Sequence, residues 1–250
     1  MATWSAPVRV RWWLNERDPG RGTRHRDVQG NASRATVLGA GDGLITNVSL
    51  ILGIAGASTN ASAVRLVGIA GLLAGAFSMA AGELVSVRAQ HELVERELKV
   101  EREELAEEPD AERRELAAMY RARGVPSEDA DTVARILSAN AGVALDTHAR
   151  LELGIDPDAE GSAGKAGAAS FIAFGVGALL PLLPWFFTGG TAALIGSIVI
   201  GAVAALILGG AVGILTERGI LRTALRQLAV VAVAAGVTYG VGSLLGVSTS

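Results

Sequence analysis

No cysteine occurs among the 250 residues of this chain. Its absence excludes disulfides and thiolate metal sites, so a bound metal would depend on oxygen, imidazole or thioether ligands. Such ligands suit harder divalent ions better than copper(I). The long apolar stretches also lack the period-two alternation that marks the strands of a membrane β-barrel. Helices are therefore the predicted way for this chain to cross a bilayer.

Five apolar stretches are long enough to cross a bilayer, because about 20 residues at 1.5 Å rise span the hydrocarbon core. The predicted spans are Val37–Ala57, Val64–Val87, Ala166–Phe187, Ala192–Leu215 and Leu228–Val247. Two prolines, Pro181 and Pro184, are expected to kink the third span. The predicted fold is an all-α membrane protein with a tail (1–36), spans one and two (37–87), a helical insert (88–163) and spans three to five (164–250).

The arginines predict the orientation, since short cytoplasmic loops retain Lys and Arg. They concentrate in the N-terminal tail, from Arg9 to Arg34, and in the predicted loop between spans four and five, which holds Arg218, Arg222 and Arg226. Five crossings then place the N-terminus and the insert in the cytosol and the C-terminus outside. The Arg- and Ala-rich composition favours a prokaryotic plasma membrane.

The insert is predicted to be a small helical bundle. Span two continues without a breaker to Glu107, and Pro109 then opens a second helix that Gly124 closes. A third helix begins at Ser127, and a fourth covers Ala141–Leu153 before Gly154. Apolar residues at helical spacing predict a thin core: Leu93, Leu98, Leu105, Leu116, Val133, Ile136, Leu137, Leu145 and Leu151.

The most informative feature of the insert is a pair of Glu-x-x-Glu motifs, Glu101/Glu104 and Glu112/Glu115. Carboxylates three residues apart lie on one face of a helix, where they repel one another unless a cation lies between them. The motifs indicate a metal site; the alternative is a solvated helix face with arginine neighbours.

The position of three side chains within the predicted apolar spans requires an explanation. Asp42, in Gly-Asp-Gly, either caps the first helix or lies deeper and faces a pathway or partner. Met79 and Glu83 are one turn apart, so a thioether and a carboxylate share a face of span two, although a lone Met is more often a packing residue. Close helix approach is indicated by glycines four residues apart: Gly71/Gly75, Gly209/Gly213 and Gly236/Gly240.

Four short motifs follow one another along the chain: Asp42–Leu50 (DGLITNVSL), Met79–Val87 (MAAGELVSV) with Gln90, Arg150–Gly154 (RLELG) and Pro181–Pro184 (PLLP). Together they resemble the vacuolar iron transporter family over about residues 35–250. The resemblance implies a homodimeric, five-span antiporter that exchanges a divalent metal for protons. It also implies that a cytosolic helical domain gathers Fe²⁺ before transfer through the membrane.

The resemblance also implies roles for particular residues. The family's membrane aspartate and methionine match Asp42 and Met79, and the acid of its Gly-Glu motif matches Glu83. Its cytosolic metal-binding glutamates match Glu101, Glu104, Glu112, Glu115 and Glu152. The expected partners are divalent metal ions, protons, a lipid bilayer and a second copy of the chain, with no nucleic acid and no tightly bound cofactor.

One departure from the family falls beside the predicted ligands. Where a family member can carry a methionine pair, this chain has His148-Ala149, four residues before Glu152. Positions i and i+4 share a helical face, and imidazole suits Fe²⁺, Zn²⁺ and Co²⁺ alike. We predict that His148 is a ligand that changes metal selectivity or pH response; the alternative is a surface residue.

The predicted function is proton-coupled movement of Fe²⁺, with Mn²⁺, Co²⁺ and Zn²⁺ as further candidates, out of the cytosol. A manganese-selective exporter would share these features, whereas a membrane-anchored metal sensor or buffer would need neither Asp42 nor Met79. An enzyme is the weakest alternative. The run His91–Glu95 lacks the second histidine of a zinc protease motif, and no Glu-x-x-His pair supports a di-iron site.

Overall fold

The computed structural model describes residues 31–157 and 162–247. The arginines before residue 31, on which the orientation prediction partly depends, lie outside the described residues, as do residues 158–161 of the insert. Within the described ranges every regular element is a helix and no strand occurs, which confirms the all-α prediction.

The helices of the described chain are α1 (Asn31–Ala57), α2 (Ala61–Glu107), α3 (Pro109–Ala122), α4 (Ser127–Leu137), α5 (Ala141–Leu151), α6 (Ala163–Leu182), α7 (Pro184–Phe187), α8 (Gly190–Leu215) and α9 (Ile220–Val247). Five of them, α1, α2, α6, α8 and α9, are long and apolar enough to cross a membrane, as predicted. The shorter helices α3, α4 and α5 follow the second of these five and precede the third.

All five membrane-length helices begin earlier than the predicted spans, and the difference is largest for α1 and α9. Because α1 starts at Asn31, Asp42 is its twelfth residue, and the alternative that Asp42 caps this helix is wrong. Because α9 starts at Ile220, Arg222 and Arg226 lie in its first turns and not in a loop. Hydropathy marks the part of a helix that fits the bilayer, whereas the helix itself continues through polar residues until a breaker intervenes.

Proline divides the predicted third span. Pro184 has no N–H for a helical hydrogen bond, and the chain leaves α6 at Leu182 to begin the short α7. The end predicted at Phe187 is therefore five residues too late for a single helix. Behind the break, Trp185 is buried and its Nε1 donates to Ser197 Oγ at 2.8 Å. This bond joins α7 to α8 and holds the predicted kink in place.

The helix α2 joins the membrane part to the insert. It begins where Asn60 Oδ1 accepts hydrogen bonds from the Ser62 and Ala63 amides, at 2.9 and 3.2 Å. It then runs for 47 residues, about 70 Å at 1.5 Å per residue, without an internal proline. It ends at Glu107, just before Pro109 opens α3. One continuous helix therefore carries the second span into the insert, as predicted.

The core of the insert forms between α3, α4 and the end of α5. Leu116, Ala117 and Ala134 are buried there, and Tyr120, Leu137 and Leu151 pack against them. Two predicted core residues are instead exposed, Leu93 by 56% and Ile136 by 65% of their surface. The periodicity correctly indicated helices, but only one face of each helix is covered in so small a bundle, and these two side chains lie on the uncovered side.

The membrane-length helices pack around α1, which contacts α2, α6, α8 and α9. Its core-facing residues include Leu44, Val48 and Ile51, all buried. Glycine lets α1 and α6 approach closely, because a Cβ added to Gly43 would run into the backbone of Phe174. Such close approach is typical of membrane helices, which gain stability chiefly from packing.

We predict that Gly43→Ala destabilises the protein by about 1–3 kcal/mol, because backbone atoms cannot move aside as a flexible side chain can. Gly41→Ala is the matched control on the same helix, since its added Cβ would lie 3.6 Å from Gln227 Nε2, an ordinary contact. Thermal unfolding in detergent would test this. Equal melting temperatures for the two variants would contradict the packing described here.

Candidate metal site

Three segments of the insert carry the six predicted ligands, and oxygens of Glu101, Glu112 and Glu152 lie between 3.0 and 3.7 Å from His148 Nδ1. The side chains come from α2, from α3 and from the end of α5: Glu101 and Glu104, Glu112 and Glu115, and His148 and Glu152. The sequence motifs predicted the ligand types. The packing of α3 and α5 against α2 brings His148 and its three neighbouring glutamates together.

The centre of the cluster is the imidazole of His148. Its Nδ1 lies 3.0 Å from Glu101 Oε1, 3.2 Å from Glu152 Oε2 and 3.7 Å from Glu112 Oε2. Both His148 and Glu101 are buried, with 0% and 2% of their surface exposed. The alternative that His148 is a surface residue is therefore wrong, because α5 turns this side chain toward α2.

The local fold of α5 explains why His148 and Glu152 meet. Asn140 caps the helix, accepting hydrogen bonds from the Gly142 and Val143 amides at 2.9 and 3.2 Å. The helix ends at Leu151, two residues earlier than predicted, and the Glu152 amide still donates to the His148 carbonyl at 2.8 Å. The Glu152 side chain is 34% exposed, so it forms the open edge of the cluster.

A hydrogen bond from α3 holds the end of α5 in position. Arg123, which follows α3, donates from Nη2 to the Leu151 carbonyl at 3.0 Å and from Nη1 to the Met119 carbonyl at 3.1 Å. The same guanidinium thus bonds to the helix that carries Glu112 and to the residue just before Glu152. It fixes the spacing between these two parts of the cluster.

Burial and mutual repulsion disfavour the ionised carboxylates. The pKa of Glu101 is raised to about 7, first by burial and then by the charge of Glu152, while His148 opposes the shift. Burial is also the largest cause of the raised pKa of Glu112, followed by the charge of Glu115. Glu104 adds to both shifts, so the exposed members of the motifs act electrostatically on the centre. A proton or a metal cation would relieve this repulsion.

The donor set is suited to a divalent metal of intermediate hardness. The ligand atoms of Glu101, His148 and Glu152 all lie within 4.8 Å of one another, and this is the one such group of His, Asp and Glu among the described residues. Carboxylates suit Mn²⁺ and Mg²⁺, whereas an imidazole favours Fe²⁺, Co²⁺ or Zn²⁺. The combination favours the first-row transition metals over Mg²⁺.

The three residues predicted for the membrane pathway lie on two neighbouring helices. Asp42 is exposed on α1, while Met79 and Glu83 are half-buried on α2. Met79 packs against the cluster of Ala76, Phe174 and Ala178, and one carboxylate oxygen of Glu83 is buried. The role of all three residues in transport remains a prediction.

Sequence reasoning assigned no role to Asn47, the buried amide at the centre of α1. The available signal was a polar side chain in the middle of an apolar span. It also did not distinguish Glu101 from the other glutamates as the buried one. Here the signal was the position of Glu101 between Leu98 and Leu105, which places it on the covered face of α2.

Comparison with known proteins shows which family the sequence matches. The sequence model of the VIT family matches residues 33–243. The chain is 36% identical over 226 residues to the vacuolar iron transporter of Acanthamoeba castellanii, covering 89% of this chain and 83% of that protein. It is 30% identical over 212 residues to vacuolar iron transporter 1 of Eucalyptus grandis, covering 84% of this chain and 85% of that protein.

A third relative, vacuolar iron transporter 1 of Arabidopsis thaliana, is 30% identical over 218 residues, which is 87% of each chain. These relatives are named as transporters, which is consistent with the expectation that the chain is not an enzyme. Because the family match extends from the start of α1 to the last turns of α9, the chain belongs to the VIT family.

Proposed function

We propose that this protein is an integral membrane transporter that moves Fe²⁺, or a related divalent metal, out of the cytosol in exchange for protons. The observation that carries the proposal is the group of His148, Glu101 and Glu152, because Glu101 lies on α2, a helix that is also long and apolar enough to cross the membrane. The names of the relatives support iron as the substrate.

The helix α2 offers a direct connection between the collecting site and the membrane. Glu83 and Glu101 are 18 positions apart, which is five turns of an α-helix, so they lie on the same face about 27 Å apart. In our proposal the insert is cytosolic and collects the metal, and Glu83, Met79 and Asp42 receive it. The thioether of Met79 favours Fe²⁺ over Mg²⁺ or Ca²⁺.

The proposed orientation follows from the odd number of membrane-length helices. Two crossings, α6 and α8, separate the insert from the turn between α8 and α9, so both lie on the same side of the membrane. That turn carries Arg218, and Arg222 lies just beyond it. Basic residues favour the cytosolic side. We place the C-terminus outside and the protein, as a homodimer, in a prokaryotic plasma membrane. Open space beside Gly236 and Gly240 on α9 is compatible with contact between two copies.

Proton coupling follows from the competition between protons and metal for the same carboxylates. In the proposed cycle, the metal is released when a proton from the external side binds Asp42 or Glu83. The proton then returns to the cytosol as the carboxylate becomes available for the next metal ion.

Transport by purified protein in proteoliposomes tests the proposal. We expect a proton gradient to drive Fe²⁺ uptake by the wild type, Asp42→Asn to abolish it, and replacement of Glu101, Glu104, Glu112 and Glu115 by Gln to weaken it. Metal binding without uptake would contradict transport and favour a sensor or buffer. Uptake of Mn²⁺ in clear preference to Fe²⁺ would indicate a manganese exporter.

The selectivity of the collecting site should depend on His148. We expect His148→Ala to weaken Fe²⁺ and Co²⁺ binding about tenfold or more, since loss of even an outer-shell partner of a metal ligand typically costs that much. Mn²⁺ binding should weaken less, because Mn²⁺ prefers oxygen ligands. Calorimetric titration under anaerobic conditions measures both effects.

His91→Ala is the matched control for this titration, because His91 lies on α2 outside the ligand cluster. Affinities for Fe²⁺ and Co²⁺ that stay at the wild-type value in His148→Ala would exclude His148 as a ligand.

The metal-free protein should lose stability as the pH rises from about 4.5 to about 7. The pKa of Glu101 is raised from 4.5 to about 7, so in this window the folded state holds a proton that the unfolded state has released. Stability therefore falls with rising pH, and added metal should restore it most at the high end of the window. Thermal unfolding with and without metal measures the trend.

The matched pair of variants for this measurement is Glu101→Gln and Glu103→Gln. Glu103 lies two residues further along α2 with 61% of its side chain exposed, so its replacement should leave the pH trend unchanged. Glu101→Gln should flatten the trend. A metal-free protein whose stability rises steadily from pH 5 to pH 8 would contradict the buried, repelled state of Glu101.

A further inference from the structure

An amide side chain lies buried at the centre of the first membrane-length segment. Asn47 is the twelfth of the 22 residues from Thr36 to Ala57, and none of its surface is exposed. Polar groups are costly at this depth, and those found there mark substrate sites or contacts between helices. Both alternatives therefore need to be tested against its contacts.

Only one end of the Asn47 amide is satisfied. Its Nδ2 donates to the Ala178 carbonyl on α6 at 2.6 Å, a bond that ties α1 to α6. Its Oδ1 is buried and has no hydrogen-bond partner within residues 31–157 and 162–247. A buried acceptor without a partner is destabilising, all the more in hydrocarbon, where no water compensates. The tie to α6 explains the donor of Asn47 but not its acceptor.

The free oxygen points toward α2. A Cβ added to Gly71 would lie 3.3 Å from Asn47 Oδ1 and would run into the end of the Leu50 side chain, so the oxygen and this flexible side chain share the space beside the glycine. Gly71 lies eight residues before Met79 on α2, about 12 Å further from the insert. On α1, Asp42 precedes Asn47 by five residues, about 7.5 Å. Asn47 thus lies deeper in the membrane than the residues of the proposed pathway.

We propose that Asn47 Oδ1 is a ligand for the translocated divalent cation at the membrane midplane, reached after Asp42 and Met79. The inference rests on the proposed transport function. An amide oxygen is a ligand of the carbonyl class, which hard and intermediate divalent cations accept. Because it carries no charge, it replaces part of the ion's hydration without holding the ion as tightly as a carboxylate would.

Two substitutions of Asn47 separate the ligand from the structural tie. Asn47→Leu removes both the donor and the oxygen, and the half-saturating metal concentration for uptake should rise about tenfold or more. Asn47→Asp keeps an oxygen ligand but adds a charge, so half-saturation should fall to a lower metal concentration while the maximal rate falls because release is slower. A residue that only ties α1 to α6 would give the same loss in both variants.

A third variant leaves Asn47 and its bond to Ala178 in place. Gly71→Ala puts a methyl group beside Oδ1, and the displaced neighbour is the flexible end of the Leu50 side chain. Half-saturation should again move to a higher metal concentration, and this variant decides the question if Asn47→Leu does not fold. Thr238→Val is the control, since it removes a half-buried hydroxyl from α9 without changing the side chain's shape.

Uptake of Fe²⁺ into proteoliposomes, with its half-saturation and maximal rate determined separately, is the measurement. Wild-type values in Asn47→Leu or in Gly71→Ala would overturn the inference, as would equal effects of Leu and Asp at position 47. If the wild type takes up no metal, the proposed function and this inference both fail. If the wild type transports and the variants are unchanged, this inference alone fails.

Discussion

The insert depends on one electrostatic constraint, the repulsion among carboxylates gathered around a single buried imidazole. His148 Nδ1 is within 4 Å of oxygens from Glu101, Glu112 and Glu152, and burial raises the pKa of Glu101 to about 7. Packing α3 and α5 against α2 therefore brings together charges that need a cation between them. A proton or a divalent metal can meet that need, and this competition is the basis of the proposed coupling between the two.

The second determinant of the structure is the continuity of α2. The insert is joined to the second membrane-length segment by a continuous helix. This helix, α2, extends from that segment to Glu101 without an internal proline. The same helix carries Met79 and Glu83 near its middle and Glu101 of the proposed collecting site near its C-terminal end. The helix that carries Glu101 is also packed against α1 and α6.

The sequence predicted the helices better than it predicted which of their side chains contact one another. Apolar stretches and breakers were sufficient for five membrane-length helices, the continuation of α2, and the ends set by Pro109 and Gly124. They did not predict how deep in α1 Asp42 lies, because hydropathy does not mark where a helix begins. Similarly, spacing placed His148 and Glu152 on one face, but the burial of His148 depends on how α5 packs on α2, which no local pattern encodes. The unpaired oxygen of Asn47 depends on how α1, α2 and α6 pack together, so the sequence did not predict it.

The most direct test of the account is the position of bound metal in the full-length protein. A structure determined anaerobically with Fe²⁺, with the ion located by its anomalous scattering, should show it bonded to His148 Nδ1 and to oxygens of Glu101 and Glu152. Iron bound elsewhere in the insert, with His148 Nδ1 still hydrogen-bonded to the carboxylates, would contradict the claim that this group is the collecting site.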